Sequence, residues 1–471
     1  MTMRTHRKRF GVIAAATALA AAGLLGGLGP AGGADDARAR PGDRPNVVVI
    51  MTDDQDAKSV RVMRGVRRQL GGSGATFQNF FATFPVCCPS RATFLTGQYA
   101  HNHGVRGNTP PNGGVQAFND SRTLPIALRR AGYRTGYVGR YLNGYDSREV
   151  PPGWSDWRVG VGKGAFKMYD YNLNENGRFV RYGRKPADYQ TDVYARKATR
   201  FISKSGSKPF FLTFAPIAPH GDPTRTRPPN PEPAPRDRGA FADEPLPSPP
   251  SFNELDVSDK PQFVRKQDRI TAAERGKLER RHQDRLASLL AVDDAVKRIV
   301  AELRDAGELR DTLIIFTSDN GYLLGEHRLV AKGNLYEESV GVPLIMRGPG
   351  IPRGVTRPQI AGNIDLAPTI LDFTGVQPLR VMDGRSLLPL ARRRGAAADR
   401  DILLENQHST ALRTQRYMYA EHPGGELELY DLRSDPFQLR SRHDDPALAG
   451  VRATLAQRLA ELEDCAGPSC R

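Results

Sequence analysis

The run Asn46-Val47-Val48-Val49-Ile50-Met51-Thr52, followed at once by Asp53-Asp54, decides the fold. It is apolar without alternation, which marks a strand covered on both faces, as in a parallel sheet. Residues 312–317 repeat the pattern and end in Ser318-Asp319-Asn320-Gly321. Shorter apolar runs at 133–138 and 209–215 read as further strands. Helical patterns lie between them: 124–131, and Leu286, Leu289, Leu290, Val296, Ile299, Val300 and Leu303, which Gly307 stops. This alternation predicts an α/β fold, a large mixed, mostly parallel sheet sandwiched by helices. In such sheets the reactive groups gather at the carboxyl ends of strands, where Asp53, Asp54, Asp319 and Asn320 fall. Residues 216–251 are Pro-rich and aperiodic, a long irregular loop of the kind that is functional or mobile. Beyond residue 375 short strands, turns and a last helix over 448–462 predict a smaller α+β subdomain. The expected division is a main domain over 46–374 and a C-terminal subdomain over 375–471.

The chain has 471 residues, 25% of them charged and 39% hydrophobic, which excludes a wholly disordered protein. Four cysteines exclude a disulfide-dense scaffold or a multi-finger zinc protein. No repeat or sustained heptad supports an array or a coiled coil. Arg4, Arg7, Lys8 and Arg9 precede an Ala/Leu/Gly-rich run over 10–28, with small residues after it. That is the pattern of a secretory signal peptide, expected over 1–34, with a disordered leader over 35–45. The competing reading, a membrane anchor, is disfavoured by the Gly and Ala content and by Pro30. The expected product is secreted, with no stable membrane insertion after cleavage. Removing the peptide takes the formal charge from +16 to +12. The basic residues are scattered along the chain and no nucleic-acid motif is present, so the charge by itself reads as a solvated Arg-rich surface. Cys465 and Cys470 suit a short-loop disulfide in an exported chain. Cys87 and Cys88 are vicinal, and vicinal pairs rarely bond.

That unpaired cysteine has a context. Cys87-Cys88-Pro89-Ser90-Arg91-Ala92-Thr93-Phe94-Leu95-Thr96-Gly97 resembles the signature of the sulfatase family, C-x-P-S-R followed by L-T-G. The resemblance runs from about residue 45 to 435 and implies an alkaline-phosphatase-like fold with a catalytic domain over 46–374. It implies a sulfuric ester hydrolase in which Cys87 is oxidised to formylglycine by a formylglycine-generating enzyme. The hydrated aldehyde offers one hydroxyl to attack sulfur and a second whose deprotonation releases sulfate, which a plain Ser or Cys lacks. Asp53, Asp54, Asp319 and Asn320 are hard oxygen donors, suited to Ca²⁺ or Mg²⁺ rather than zinc. The resemblance makes them the metal ligands, with residue 87 as a further one and calcium as the usual ion.

Cations must hold the sulfate. The resemblance assigns Arg91 to brace the formylglycine, and a helix starting at Pro89-Ser90 would turn its amides to the anion. Lys332, in Val330-Ala331-Lys332-Gly333, matches the family lysine that binds sulfate or protonates the leaving oxygen. His220, in Ala218-Pro219-His220, resembles the family histidine that contacts sulfate and acts as general acid. His327 is a lesser candidate, and His101 and His103 either line the substrate mouth or cap a helix. Gly139-Arg140-Tyr141-Leu142-Asn143 departs from the family's G-K-W-H or G-K-Y-L. Arg140 keeps the charge and becomes a sulfate clamp, while Leu142 moves the acid role to His220 or Lys332. The His-Asn-His run, Tyr-Leu-Asn and Asp-Asn-Gly-Tyr resemble the N-acetylglucosamine-6-sulfatase branch, which includes heparan endosulfatases. The implied substrates are sulfated sugars such as 6-O-sulfated glucosamine. Rival readings are an arylsulfatase on small esters, a phosphodiesterase or phosphonate hydrolase, and a non-catalytic polyanion-binding protein.

Overall fold

The central apolar run is strand β1 (Asn46–Thr52), with every residue buried. The computed structural model describes residues 44–223, 229–393, 395 and 400–471. The signal-peptide reading and most of the leader lie outside the described residues. The strands that follow are β2 (Ala75–Phe81), β3 (Arg134–Gly139), β4 (Asp156–Gly160), β5 (Tyr171–Glu175), β6 (Arg178–Tyr182), β7 (Phe210–Ala215) and β8 (Thr312–Ser318). A small hairpin, β9 (Leu323–Leu324) and β10 (Val330–Ala331), precedes β11 (Leu344–Arg347) and β12 (Val355–Gly362). Ten strands form one sheet in the order β12-β2-β11-β8-β1-β7-β3-β4-β5-β6. The middle of it, β8-β1-β7-β3-β4, is parallel throughout.

Successive residues of β1 and β8 point to opposite faces. Val47, Val49, Met51, Leu313 and Ile315 enter one core, with the helices Cys87–Thr96, Leu124–Arg130 and Leu366–Thr374 over it. Val48, Ile50, Ile314 and Phe316 enter the other, under the helices Gln190–Ser203 and Ala272–Asp305. Both faces are dry, which is why the sequence shows no alternation. The Ala272–Asp305 helix starts fourteen residues before its periodic leucines do. Its first turns carry Glu274, Arg275, Lys277, Glu279 and Arg280 and have no apolar stripe to read. A reciprocal cap sets its start, with Thr271 Oγ1 accepting from Glu274 N and Glu274 accepting from Thr271 N.

The C-terminal region forms a separate antiparallel sheet, β13 (Ile402–Glu405), β14 (Thr410–Arg413), β15 (Tyr417–Glu421) and β16 (Leu427–Asp431), in sequential order. The Ala449–Glu463 helix lays Leu455, Leu459 and Leu462 on it. The Cys465–Cys470 disulfide closes the chain end, and Cys87 and Cys88 are free and buried. Asp383 ties this end to the main sheet's helices: its carboxylate accepts from Tyr99 N, Asn102 Nδ2 and Gly467 N at 2.7–2.9 Å. Among the described residues between Ala215 and Gln262 the only helical piece is the short turn Pro235–Asp237, as the Pro content predicts. No helix among the described residues is long and apolar enough to cross a membrane.

Candidate active site

Register places the site. Thr52 pairs with Ser318 across β1 and β8, so Asp53 and Asp319 leave adjacent parallel strands at the same level. Gly139 pairs with Ala215 across β3 and β7, so Arg140 and the loop carrying His220 leave at that edge too. Four neighbouring strand ends thus deliver Asp319-Asn320, Asp53-Asp54, His220 and Arg140 to one spot. Cys87 arrives on the first residue of its helix, and Lys332 follows the β9–β10 hairpin.

One donor atom each from Asp53, Asp54, Cys87 and Asp319 lies within 4.8 Å of the others, all four residues buried. Asn320 donates from Nδ2 to Asp54 Oδ1 at 2.7 Å, while its Oδ1 is buried with no hydrogen-bond partner. A buried acceptor without a donor beside three carboxylates is what a hard cation would satisfy, so the residues present fit Ca²⁺ or Mg²⁺. Asp54 holds a left-handed φ of 65°, a conformation that costs energy for a residue with a Cβ. Arg285 donates to Asp54 O at 2.5 Å and lies over the Tyr322 ring, which holds this turn.

Three cations face the three carboxylates. Arg91 bridges Asp53 (3.0 Å) and Asp319 (2.9 Å). Arg140 contacts Asp53 and lies 3.7 Å from Asp319 Oδ2. Lys332 contacts Asp54, reaches Cys87 Sγ at 2.7 Å and lies 3.9 Å from Asp53. Burial pushes Asp53 upward, but Arg140, His220, Arg91 and Lys332 together hold it well below the usual carboxylate range. Asp319 is driven up by its burial and by the charge of Asp53. Burial and Asp53 push the Cys87 thiol up to about 12, so as a plain cysteine it is protonated at neutral pH. Lys332 stays charged: burial opposes this, and Asp54, Cys87 and Asp53 outweigh it.

His220 donates from Nδ1 to Gly221 O at 2.6 Å, which leaves Nε2 facing Asp54 Oδ2 at 3.7 Å. Burial lowers its pKa by more than Asp54 and Asp53 raise it. The other histidines stand apart. His103 is buried against Thr93 Oγ1 at 3.0 Å and accepts from Val105 N. His101 contacts Glu405 and Cys465 O. His327 pairs with Glu254 at 2.7 Å and stacks on Tyr336. All three spend these contacts on residues other than Cys87 and the carboxylates beside it.

The cysteine helix begins at Cys87, two residues before the expected Pro89-Ser90 step. Pro89 sits in the first turn, where its missing N–H costs no helix bond. The Cys88 amide is taken by Asn108 Oδ1 at 2.9 Å, so that donor does not face an anion. Sequence reading missed Asn108 and the half-buried Phe166, whose ring lies 4.7 Å from the Arg140 guanidinium and 5.2 Å from the His220 ring. Neither sits in a periodic segment, and nothing in sequence announces them. Asn143 accepts from Arg140 Nη2 at 2.7 Å and so aims that guanidinium.

The Sulfatase family model matches residues 45–376, and the model of the N-sulphoglucosamine sulphohydrolase C-terminal region matches 325–465. The extracellular sulfatase SULF-1 homolog of Drosophila melanogaster is 37% identical over 75% of this chain, which spans only 32% of that relative's length. The N-acetylglucosamine-6-sulfatase of Homo sapiens is 34% identical over 91% of this chain and 86% of its own. A solved structure of BT4656 in complex with its substrate D-glucosamine-2-N,6-O-disulfate superposes with a TM-score of 0.78 at 26% identity, covering 89% of this chain and 97% of the other. The match across both the large sheet and the C-terminal sheet, on top of the strand-end cluster that the register assembles, establishes that this chain belongs to the sulfatase family.

Proposed function

We propose that this protein hydrolyses sulfate monoesters of sulfated sugars, with 6-O-sulfated glucosamine as the substrate class. The observation that carries the reading is one buried spot where Cys87 meets Asp53, Asp54 and Asp319 under the charges of Arg91, Arg140 and Lys332. A human relative named N-acetylglucosamine-6-sulfatase, and a structural neighbour bound to a 6-O-sulfated glucosamine, support the sugar. Asp53, Asp54, Asp319 and Asn320, with residue 87, would hold a divalent cation, calcium or magnesium. When bound it supplies positive charge that acidifies a hydroxyl and neutralises the ester. Residue 87 would act as formylglycine, made by a formylglycine-generating enzyme, and its hydrate supplies the two hydroxyls that attack and release require.

The chain's own residues do the rest. Arg91 fixes Asp53 and Asp319 relative to each other by one guanidinium, so the carboxylates cannot spread apart under mutual repulsion. Arg140, aimed by Asn143, clamps a sulfate oxygen. Lys332, touching the Sγ of residue 87, neutralises charge that develops at the attacking atom. His220, its tautomer fixed through Gly221 O, presents Nε2 to the site as an acceptor and must first take a proton there to act as an acid; that imidazolium or Lys332 gives the leaving oxygen its proton. Secretion through an N-terminal peptide and a catalytic division at residues 46–374 and 375–471 complete the proposal.

The test is steady-state hydrolysis by aldehyde-bearing protein of N-acetylglucosamine 6-sulfate, an aryl sulfate and a phosphate diester. The sugar ester is expected to have the highest kcat/KM. A tenfold preference for the aryl sulfate or the diester would overturn the substrate assignment. Binding of sulfated sugar without hydrolysis would overturn catalysis.

A further inference from the structure

A basic rim extends from the active site along the carboxyl edge of the sheet. Phe166, against Arg140 and His220, belongs to the turn Gly162–Phe166 that follows β4. Lys163 is exposed on this turn, and Lys167 comes directly after Phe166. The chain then reaches Asp170, whose N donates to Gly183 O at 3.0 Å. That hydrogen bond seats the end of β6 and the following Arg184-Lys185 beside the turn. Tyr171 pairs with Tyr182, so the exposed Arg181 also lies at this end of the sheet. Arg181 and Arg184 share Asp170, at 3.9 and 2.9 Å, yet remain 77% and 70% exposed. Asp188 spends its carboxylate on Gly183 N and Lys185 N. Five cations thus meet Asp170 and Asp188, both engaged, with the exposed Asp146 beside Gly162 and Glu232 acting on Arg184, on a strip that starts at an aromatic ring in the active site.

We propose that this rim, Lys163, Lys167, Arg181, Arg184 and Lys185, carries the flanking units of a sulfated polysaccharide whose reacting sugar sits at Cys87. The inference rests on the functional reading above and adds to it that the substrate is an anionic chain rather than a single sugar. Cations scattered in sequence are gathered here by the β5–β6 hairpin. Each exposed pair contributes little, but a chain with a charge on successive sugars engages several at once within the screening length of about 8 Å at physiological salt.

The test uses aldehyde-bearing full-length protein and the variant R181Q/R184Q/K185Q, with R178Q at the far end of the same exposed strand as control. The triple variant is expected to raise KM for a long sulfated glucosaminoglycan oligosaccharide about five- to tenfold. Its kcat, and its kcat/KM on monosaccharide 6-sulfate, should stay within about twofold of wild type, and added salt should erase the difference. R178Q should behave as wild type, and unchanged thermal unfolding certifies the fold. An intact monosaccharide rate with an unmoved oligosaccharide KM overturns the rim alone. An equal loss on monosaccharide and oligosaccharide also overturns it, because the residues would then serve the reacting sugar. A wild type inactive on every sulfated glucosamine overturns the functional reading itself.

Discussion

Replacing Lys332 with Met should tighten divalent-cation binding while abolishing turnover. Three buried carboxylates already face two buried arginines and the partly exposed Lys332, so a divalent ion enters a site that is balanced without it. Lys332 is the most direct competitor: its Nζ contacts Asp54 and lies 3.9 Å from Asp53 Oδ1. Two unit charges about 4 Å apart repel by about 4 kcal/mol at an effective dielectric of 20, and a divalent ion doubles that. Relaxation and water entry will cancel most of it. If only about 1.4 kcal/mol survives, the dissociation constant falls tenfold. Met keeps the unbranched stem and removes the charge. Calorimetric titration of Ca²⁺ into metal-stripped wild type and Lys332→Met at matched pH reads the effect directly. Equal or weaker binding by the variant would refute the charge-balance reasoning. Unchanged turnover would remove Lys332 from the site.

Cys87→Ala should lose all measurable hydrolysis and keep its thermal unfolding temperature. In protein from its native host the Cys87 peptide should be about 18 Da light, from loss of one sulfur and two hydrogens and gain of one oxygen. An unmodified thiol in fully active protein would sink the formylglycine assignment. Asn143→Ala should raise KM for sulfate esters several-fold, up to about tenfold, because Arg140 loses the 2.7 Å bond that aims it; an unchanged KM would deny the clamp. Glu326 is pushed by burial and by Glu338 to about 7. Its folded pKa lies above the unfolded one, so it contributes most stability below about pH 4.5, and that contribution is lost as pH rises to about 7. Glu326→Gln should therefore stabilise the protein above pH 7 by at most about 3 kcal/mol and leave it unchanged near pH 4, as read by urea unfolding at both values. Equal effects at the two pH values would contradict the shift.

The strand ends were legible because a fully buried parallel strand has an unbroken apolar run, and the acids that stop it must sit at the sheet's edge. Strand ends alone left Asp53-Asp54 readable as a turn and helix N-cap; together with Asp319-Asn320 and the resemblance of the Cys87 segment they read as candidate ligands. What sequence lacks is register across strands distant in the chain. The pairing of Thr52 with Ser318 sets the two acid pairs side by side, and no local pattern encodes it.

Histidines show the same division. The resemblance already set His220 ahead of His101, His103 and His327, but only packing shows which groups each ring meets: Thr93 for His103, Glu254 for His327, Asp54 for His220. Phe166 and Asn108 had no sequence signal, since irregular segments carry no period. The sequence by itself determined the chemistry available, a cysteine in a sulfatase-like signature, oxygen donors and cations, and the kind of sheet that displays them. The tertiary structure decided which of those groups meet, because charge balance, hydrogen bonding and burial are properties of neighbours in space, and neighbours here come from strands more than 250 residues apart.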